Sequence, residues 1–258
     1  MIEARRIPIL TYHSIDESGS IISTAPDIFR RQMKRLSETG LKGISLETLA
    51  ASAAKKKGFP KDAVVLTFDD GFHNFYTTGF PILEEYRFEA TVFLVTDHCG
   101  KKNDWAGNPP GLASEKLMSW SEVRELKLNG IDFGAHTQTH PDLTRLSETQ
   151  VKREMTESKD AIENAIGGMV TTFAYPYGKF NGCVREIAAQ NFDAACSTNL
   201  GTASVESDLF SLERIDAYYL SRPKVFDSLS SKSFDRYMKF RQTLRVVKGQ
   251  VSEILSNN

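Results

Sequence analysis

Short apolar runs alternate with amphipathic segments along most of the chain, and this alternation restricts the fold more than any other feature. The apolar runs at 7–13, 64–68, 90–95, 131–135, 171–175, 194–197 and 212–215 predict strands, and the segments at 26–39, 46–56, 80–86, 119–130, 147–166 and 184–190 predict helices. Strands that alternate with helices pair in parallel. This many repeats predict an α/β fold whose sheet closes into a barrel.

Composition narrows the class of protein. The chain has 258 residues, of which 40% are hydrophobic and 25% charged, as expected for a globular protein with a substantial core. Its formal net charge of −1 gives no long-range attraction for nucleic acid. We therefore expect no nucleic-acid partner.

The expected location is the cytoplasm. Three cysteines without a Cys-x-x-Cys spacing, Cys99, Cys183 and Cys196, fit a reducing compartment. Residues 1–8 lack the long apolar core of a signal peptide. The sequence contains no stretch of about 18 apolar residues, so no membrane span is predicted.

Two regions are expected along the chain. Residues 1–230 are predicted to form the barrel domain, and 231–258 a C-terminal basic amphipathic helix with a tail. Within 234–255, five basic side chains stand among apolar ones. We expect this helix to dock on the barrel, with weak contact to an anionic membrane surface as the alternative. The oligomeric state does not follow from the sequence.

Two adjacent carboxylates, Asp69 and Asp70, follow the apolar run at 64–68. In a β/α barrel the active site lies where the carboxyl ends of the strands meet. Neighbouring ionised carboxylates repel each other, and a divalent cation removes that cost. One carboxylate can then bind the metal while the other acts as a general base. The alternative is a solvated turn, because Asp-Asp-Gly is also common turn chemistry.

Two imidazoles lie four residues apart at the end of another predicted strand, at His136 and His140. On a helical turn both would point to the same side and could bind one cation. The alternative is a pair of polar histidines with ordinary hydrogen bonds. One carboxylate and two imidazoles form the mixed ligand set of catalytic zinc sites, so the two motifs together predict a metal site.

Three motifs carry a family resemblance: Thr67–Gly71, His136-Thr137-x-x-His140 and Phe173–Gly178. Their order and spacing resemble those of the polysaccharide deacetylases, carbohydrate esterase family 4, over roughly residues 7–216. The resemblance implies a distorted (β/α) barrel with fewer than eight complete units. It also implies a metal-dependent hydrolase that removes an N-acetyl group from an N-acetylated sugar in a polysaccharide or glycoconjugate precursor and releases acetate.

The same resemblance implies roles for individual residues. Asp69 corresponds to the catalytic base, and Asp70, His136 and His140 correspond to the ligands of a divalent metal, for which zinc is the expected ion. The backbone N–H of Tyr177 corresponds to a donor to the oxyanion.

Two further roles depend on departures from the usual pattern. The family's general-acid histidine normally lies near the C-terminus, but this chain has no histidine after His140. Leu10–His13 resembles the permuted-motif branch of bacterial exopolysaccharide N-deacetylases, so His13 is the candidate acid, with a core histidine as the alternative. The arginine that usually pairs with the base is replaced by Ala174. Arg214, two positions after Leu212 on one strand face, is the candidate substitute.

Other functions remain open from the sequence. The fold could act on another linear or cyclic amide, or it could be a non-catalytic carbohydrate-binding module. Trp105, in the polar loop at 100–114, could stack on a sugar or make apolar contacts, whereas Trp120 is expected in the core.

Overall fold

Parallel strands and surrounding helices make up most of the fold. The computed structural model describes residues 6–55, 59–108 and 112–229 and, beyond these, 231, 234, 236–238 and 240–243. The strands are β1 Arg6–Ile7, β2 Ile9–Tyr12, β3 Lys42–Ile44, β4 Ala63–Phe68, β5 Thr91–Leu94, β6 Asp132–Ala135, β7 Thr172–Ala174, β8 Ala194–Leu200, β9 Ala203–Ser204 and β10 Leu212–Asp216.

In the described part of the chain, six helices follow the predicted segments closely, and a short seventh was not predicted. They are α1 Pro26–Glu38, α2 Leu46–Ala54, α3 Phe80–Tyr86, α4 Trp120–Leu128, α5 Glu148–Ile166, α6 Gly182–Asn191 and α7 Pro223–Phe226. Local signals explain the boundaries. Capping boxes at Ser119 and Ser147 begin α4 and α5, and α5 ends at Gly167, whose φ of 67° suits glycine.

Seven parallel strands close into a barrel. The order around the ring is β2, β10, β8, β7, β6, β5 and β4, and β4 pairs back to β2. Among the described strands, β3 pairs only with the beginning of β4, and β1 and β9 form a separate antiparallel pair. The predicted barrel with fewer than eight complete units is confirmed, whereas β3 and β9 were not predicted.

Strand alternation sorts side chains between two core layers. In β4, Val64, Leu66 and Phe68 pack in a large outer cluster with the helices, and Val65 packs in an inner cluster. Thr67 lies two positions further along the inner face. Ile9 and Leu212 belong to the same inner cluster, as do Leu46, Leu49 and Ala50 of α2. The inner faces of β2 and β4 therefore lead toward His13 and Asp69 at the carboxyl ends, and Arg214 lies on the inner face within β10.

The predicted C-terminal helix is described only in part. Residues 234, 236–238 and 240–243 are helical. Phe234 and Met238 are buried in the outer cluster, and the Arg241 Cζ lies 4.7 Å from the ring centroid of Tyr219. These contacts favour docking on the barrel, and residues 244–258 lie outside the described part. Among the described residues, no helix has both the length and the apolar composition needed to cross a bilayer.

Candidate active site

Asp69 follows β4 and forms a buried ion pair with Arg214. Arg214 donates from Nη1 to Asp69 Oδ1 and from Nη2 to Oδ2, each at 2.7 Å. It also donates from Nε to the Ser197 carbonyl at 2.8 Å and from Nη1 to Thr67 Oγ1 at 3.2 Å. Asp69 is 3% exposed and Arg214 2%. The structure thus brings together the two residues that strand parity placed on the inner face.

Asp70 shares the barrel mouth with Asp69 because the chain turns sharply there. In a continuing strand, Asp70 would point to the opposite face. Instead Asp70 has a φ of 70° and Gly71 a φ of 75°, so the backbone leaves the extended conformation. Asp70 Oδ1 lies 3.5 Å from Nε2 of His136 and 3.5 Å from Nε2 of His140.

An irregular loop, not a helical turn, positions the two histidines. Strand β6 ends at Ala135, and Thr137 and His140 adopt left-handed φ values of 69° and 58°. The Thr137 hydroxyl accepts a hydrogen bond from the His140 backbone N–H at 3.0 Å. The helical turn expected from the four-residue spacing was therefore wrong. The Thr137 side chain bonds the backbone of the loop instead, and such local hydrogen bonds compete with helix formation.

Glu154 of α5 holds this loop from outside the barrel. Its Oε2 accepts hydrogen bonds from the backbone N–H groups of Gln138 at 2.8 Å and Thr139 at 3.1 Å, and its Oε1 accepts one from the Thr139 hydroxyl at 2.8 Å. The carboxylate is buried. Glu154 was not predicted as a site residue, because within an amphipathic helix it resembles any other polar residue.

Asp70, His136 and His140 fit a divalent cation. Their ligand atoms all lie within 4.8 Å of one another. The 3.5 Å separations are too long for hydrogen bonds, and they are close to the separation of about 3.4 Å between two ligands of a tetrahedral zinc ion. His136 Nδ1 donates to the Ala174 carbonyl at 2.7 Å, which leaves its Nε2 lone pair available to a metal.

The electrostatics of the two carboxylates differ. Burial raises the pKa of Asp70, and His13 and His136 oppose this only in part. Burial also acts to raise the pKa of Asp69, but Arg214 outweighs it and holds that pKa below the usual range. Burial, together with His136, lowers the pKa of His140 and favours the neutral form that binds metals. The protein thus balances the charge of Asp69, whereas Asp70 lacks a full counter-charge that a cation would supply.

His13 lies beside Asp69 at the same rim. It follows β2, which pairs with β4, and its Nε2 is 3.9 Å from Asp69 Oδ2. Its side chain is 20% exposed, in contrast to the buried metal-site residues. This position suits exchange of a proton with solvent, and the role of general acid stays a prediction.

Tyr177 reaches the site from the turn after β7. Its φ is 58°, and its ring packs edge-on against His140 at a centroid distance of 4.6 Å. Gly178 follows with a φ of 67°, and a Cβ there would lie 2.4 Å from the backbone nitrogen of Thr198. Only glycine fits this close approach, which fixes the turn that carries the Tyr177 amide.

The comparison with protein families covers the same motifs. The model of the family described as polysaccharide deacetylase matches residues 56–192, just over half of the chain. The chain belongs to the polysaccharide deacetylase family. The predicted family is thereby confirmed. His13 and Arg214 lie outside the matched range, so their roles depend on the geometry described above.

Curated members of the polysaccharide deacetylase family differ in how much they share with this chain. YxkH of Bacillus subtilis (strain 168) is 26% identical over 235 residues, which cover 91% of this chain and 76% of YxkH. The poly-β-1,6-N-acetyl-D-glucosamine N-deacetylase of Staphylococcus aureus (strain MRSA252) is 28% identical over 169 residues, or 62% of this chain. The match spans 55% of that enzyme's length.

Solved structures of similar proteins share the barrel. The Streptococcus pyogenes deacetylase PplD, in complex with acetate, is 31% identical with a TM-score of 0.72 over 83% of this chain and 92% of PplD. IcaB from Ammonifex degensii has a TM-score of 0.71 over 89% of this chain and 97% of its own, at 21% identity. The likeness to IcaB concerns the fold alone.

The two tryptophans have different surroundings. Trp105 is only 6% exposed, and its ring lies 4.6 Å from that of His140. Of the two alternatives for Trp105, apolar contact is therefore favoured over sugar stacking. Trp120, which was expected in the core, is only partly buried and packs against the outer cluster.

Proposed function

We propose that this protein is a metal-dependent N-deacetylase that hydrolyses the acetamide group of an N-acetylated sugar in a polysaccharide or glycoconjugate precursor. The observation that carries the proposal is the Asp69–Arg214 pair beside the cluster of Asp70, His136 and His140, which gives an ionised base next to a cation site. Membership of the family supports the reaction. The acetate in PplD and the name of the Staphylococcus aureus relative support the type of substrate.

Asp70, His136 and His140 would hold the cation. A site with one carboxylate and two imidazoles suits zinc and leaves coordination positions open. Bound there, the ion would act as a Lewis acid toward the acetamide oxygen and would lower the pKa of a bound water.

Asp69 accepts the proton of the attacking water. Arg214 donates hydrogen bonds to both carboxylate oxygens of Asp69, so the carboxylate keeps one orientation and stays ionised. The same pairing weakens Asp69 as a base. Asp69 is therefore ionised at every working pH, although it is a weaker base than a carboxylate with a high pKa.

The remaining residues act on the rest of the acetamide. As the water oxygen bonds to the carbonyl carbon, the backbone N–H of Tyr177 donates to the developing oxyanion. His13 gives a proton to the sugar nitrogen as the C–N bond breaks, because an amine leaves poorly until it is protonated. The products are acetate and a free amino sugar. All of these residues lie within 1–230, which we propose as the catalytic domain, with 231–258 as a segment that docks on it.

Acetate release from a panel of substrates tests this proposal. The panel contains N-acetylated oligosaccharides from β-1,6-linked glucosamine, chitin and peptidoglycan, with formamides and cyclic ureides as other amides. We expect equal amounts of acetate and free amine from at least one glycan, loss of activity with a chelator and recovery with zinc. The Asp69→Asn variant is the control for catalysis by contaminants.

Two results would contradict the proposal. A metal-loaded protein that hydrolyses only the other amides would have a different substrate class. A protein that binds the glycans but releases no acetate from any of them would be a binding module.

A further inference from the structure

We propose that Trp105 is a positioning residue, whose indole holds the His140 imidazole in the orientation that lets Nε2 bind the cation. The inference rests on the metal-dependent function proposed above. It assigns to the loop between β5 and α4 a part in metal affinity, because Trp105 belongs to that loop.

The two histidines of the cluster are held in different ways. His136 Nδ1 donates to the Ala174 carbonyl at 2.7 Å, and such a bond fixes both the ring and its tautomer. His140 Nδ1 is buried and has no hydrogen-bond partner among the described residues. A metal-binding histidine usually has a partner at that nitrogen. Among the described residues, therefore, the contacts that can orient the His140 ring are packing contacts.

Three aromatic rings surround His140. Its centroid lies 4.6 Å from Trp105, 4.6 Å from Tyr177 and 4.8 Å from His136. The Trp105 ring is tilted by only 35° and covers the imidazole, whereas Tyr177 and His136 meet it edge-on at 70° and 68°. Removal of the indole would therefore uncover the imidazole and allow its ring to turn.

The loop that carries Trp105 is firmly attached. Its two ends are joined by backbone hydrogen bonds from Gly100 to the Met118 carbonyl at 2.7 Å and from Leu117 to the Lys101 carbonyl at 2.9 Å. Met118 N–H in turn donates to the Gly71 carbonyl at 2.9 Å, next to Asp70. The loop and the carboxylate ligand thus share one backbone network.

Apolar packing, without a hydrogen bond from the described residues, holds the indole in place. Trp105 packs with Phe72, Val95 and Leu117 in a small apolar cluster, and its Nε1 has no partner among the described residues. The ring is therefore the part that acts on His140. A phenylalanine at this position should retain most of the effect, and an alanine should lose it.

Zinc affinity provides the first test. The wild type, Trp105→Phe and Trp105→Ala are titrated with zinc in competition with a chromophoric chelator. Trp120→Phe and Trp120→Ala are the matched controls, since Trp120 packs against the outer cluster and not in the small cluster that contains Trp105. We expect Trp105→Ala to weaken binding by about 10–100-fold, the usual effect of losing a group that orients a ligand. Trp105→Phe should stay near the wild type, and the Trp120 variants should bind as the wild type does.

Two further readouts separate positioning from damage to the fold. Thermal unfolding of the metal-free variants shows whether Trp105→Ala is still folded, and the visible spectrum of bound cobalt reports the geometry at His140. Trypsin cleavage at the exposed lysines of the loop, Lys101, Lys102 and Lys116, reports loop opening. Because linkage is reciprocal, zinc should slow this cleavage in the wild type and protect Trp105→Ala much less.

The outcomes distinguish the inference from the proposed function. A folded Trp105→Ala that binds zinc as tightly as the wild type, with the same cobalt spectrum, overturns the role of Trp105 and leaves the proposed function standing. A raised KM with unchanged zinc affinity would likewise overturn it and favour contact with the sugar. A wild type that binds no divalent metal contradicts the proposed function itself.

Discussion

Replacement of Arg214 by methionine tests whether the charge of Asp69 depends on the guanidinium. Methionine keeps an unbranched apolar stem and carries no charge, so the Asp69 carboxylate, 3% exposed in the wild type, would lose its partner. Removal of one partner of a buried ion pair costs about 3–5 kcal/mol, because the remaining charge is uncompensated. The hydrogen bonds to Ser197 and Thr67 would be lost as well, at about 1 kcal/mol each.

The electrostatic part of this cost should depend on pH. An unpaired Asp69 can take up a proton instead, which costs about 4 kcal/mol at pH 7 and about 1.5 kcal/mol at pH 5 for an ordinary carboxyl group. In the wild type, Arg214 outweighs burial and holds the pKa of Asp69 below its unfolded value. Its stabilisation is therefore complete above the unfolded pKa and is lost as the pH falls toward the folded pKa. The difference in unfolding free energy between the wild type and Arg214→Met should therefore shrink by up to about 2.5 kcal/mol between pH 7 and pH 5.

Urea unfolding at the two pH values measures this difference. The wild type, Arg214→Met and the double variant Arg214→Met/Asp69→Asn are compared with a chelator present, so that no cation compensates for the lost guanidinium. We expect the double variant to be more stable than Arg214→Met at pH 7 and the difference to fade at pH 5. Equal destabilisation at both pH values, with no relief from Asp69→Asn, would refute the buried ion pair as the source of stability.

Three other changes give further tests. His13→Ala should lower kcat by about 10²–10⁴-fold with unchanged zinc content, because a general acid is lost. A variant with the wild-type rate would show that His13 is a core residue and not the acid. Glu154→Ala should lower zinc affinity by roughly 10-fold, because the histidine loop loses its three hydrogen bonds, and an unchanged affinity would show that the loop orders itself. Exposed Cys183 should react fastest with a thiol reagent at pH 8 in the native protein, half-buried Cys99 slowly and buried Cys196 only on unfolding, since burial raises the pKa of Cys99 and Cys196 to about 12. Fast reaction of all three thiols would contradict this burial.

Strand periodicity explains why much of the site could be predicted from the sequence. Side chains two apart share a face, so the inward position of Leu212 also places Arg214 inward, and Asp69 follows Val65 and Thr67 on the inner face of β4. The parallel sheet then brings all carboxyl ends to one rim. These rules need only local patterns.

The features that were missed depend on contacts between distant parts of the chain. Glu154 meets the histidine loop from 16 positions away, and Trp105 reaches His140 across another loop. The conformation at Thr137 and His140 depends on a left-handed backbone that ordinary residues adopt only when surrounding contacts enforce it. No local pattern in the sequence encodes such contacts.

Zinc content and turnover of Asp69→Asn and Asp70→Asn, measured side by side, separate the roles of the two adjacent carboxylates. Asp69 is paired to Arg214, whereas Asp70 faces the histidines. We expect Asp69→Asn to keep about one metal ion per chain and to lose about 10²–10⁴-fold in kcat, whereas Asp70→Asn should lose the metal. An Asp69→Asn variant that releases the metal, beside an Asp70→Asn variant that retains it, would contradict this division of roles between base and metal ligand.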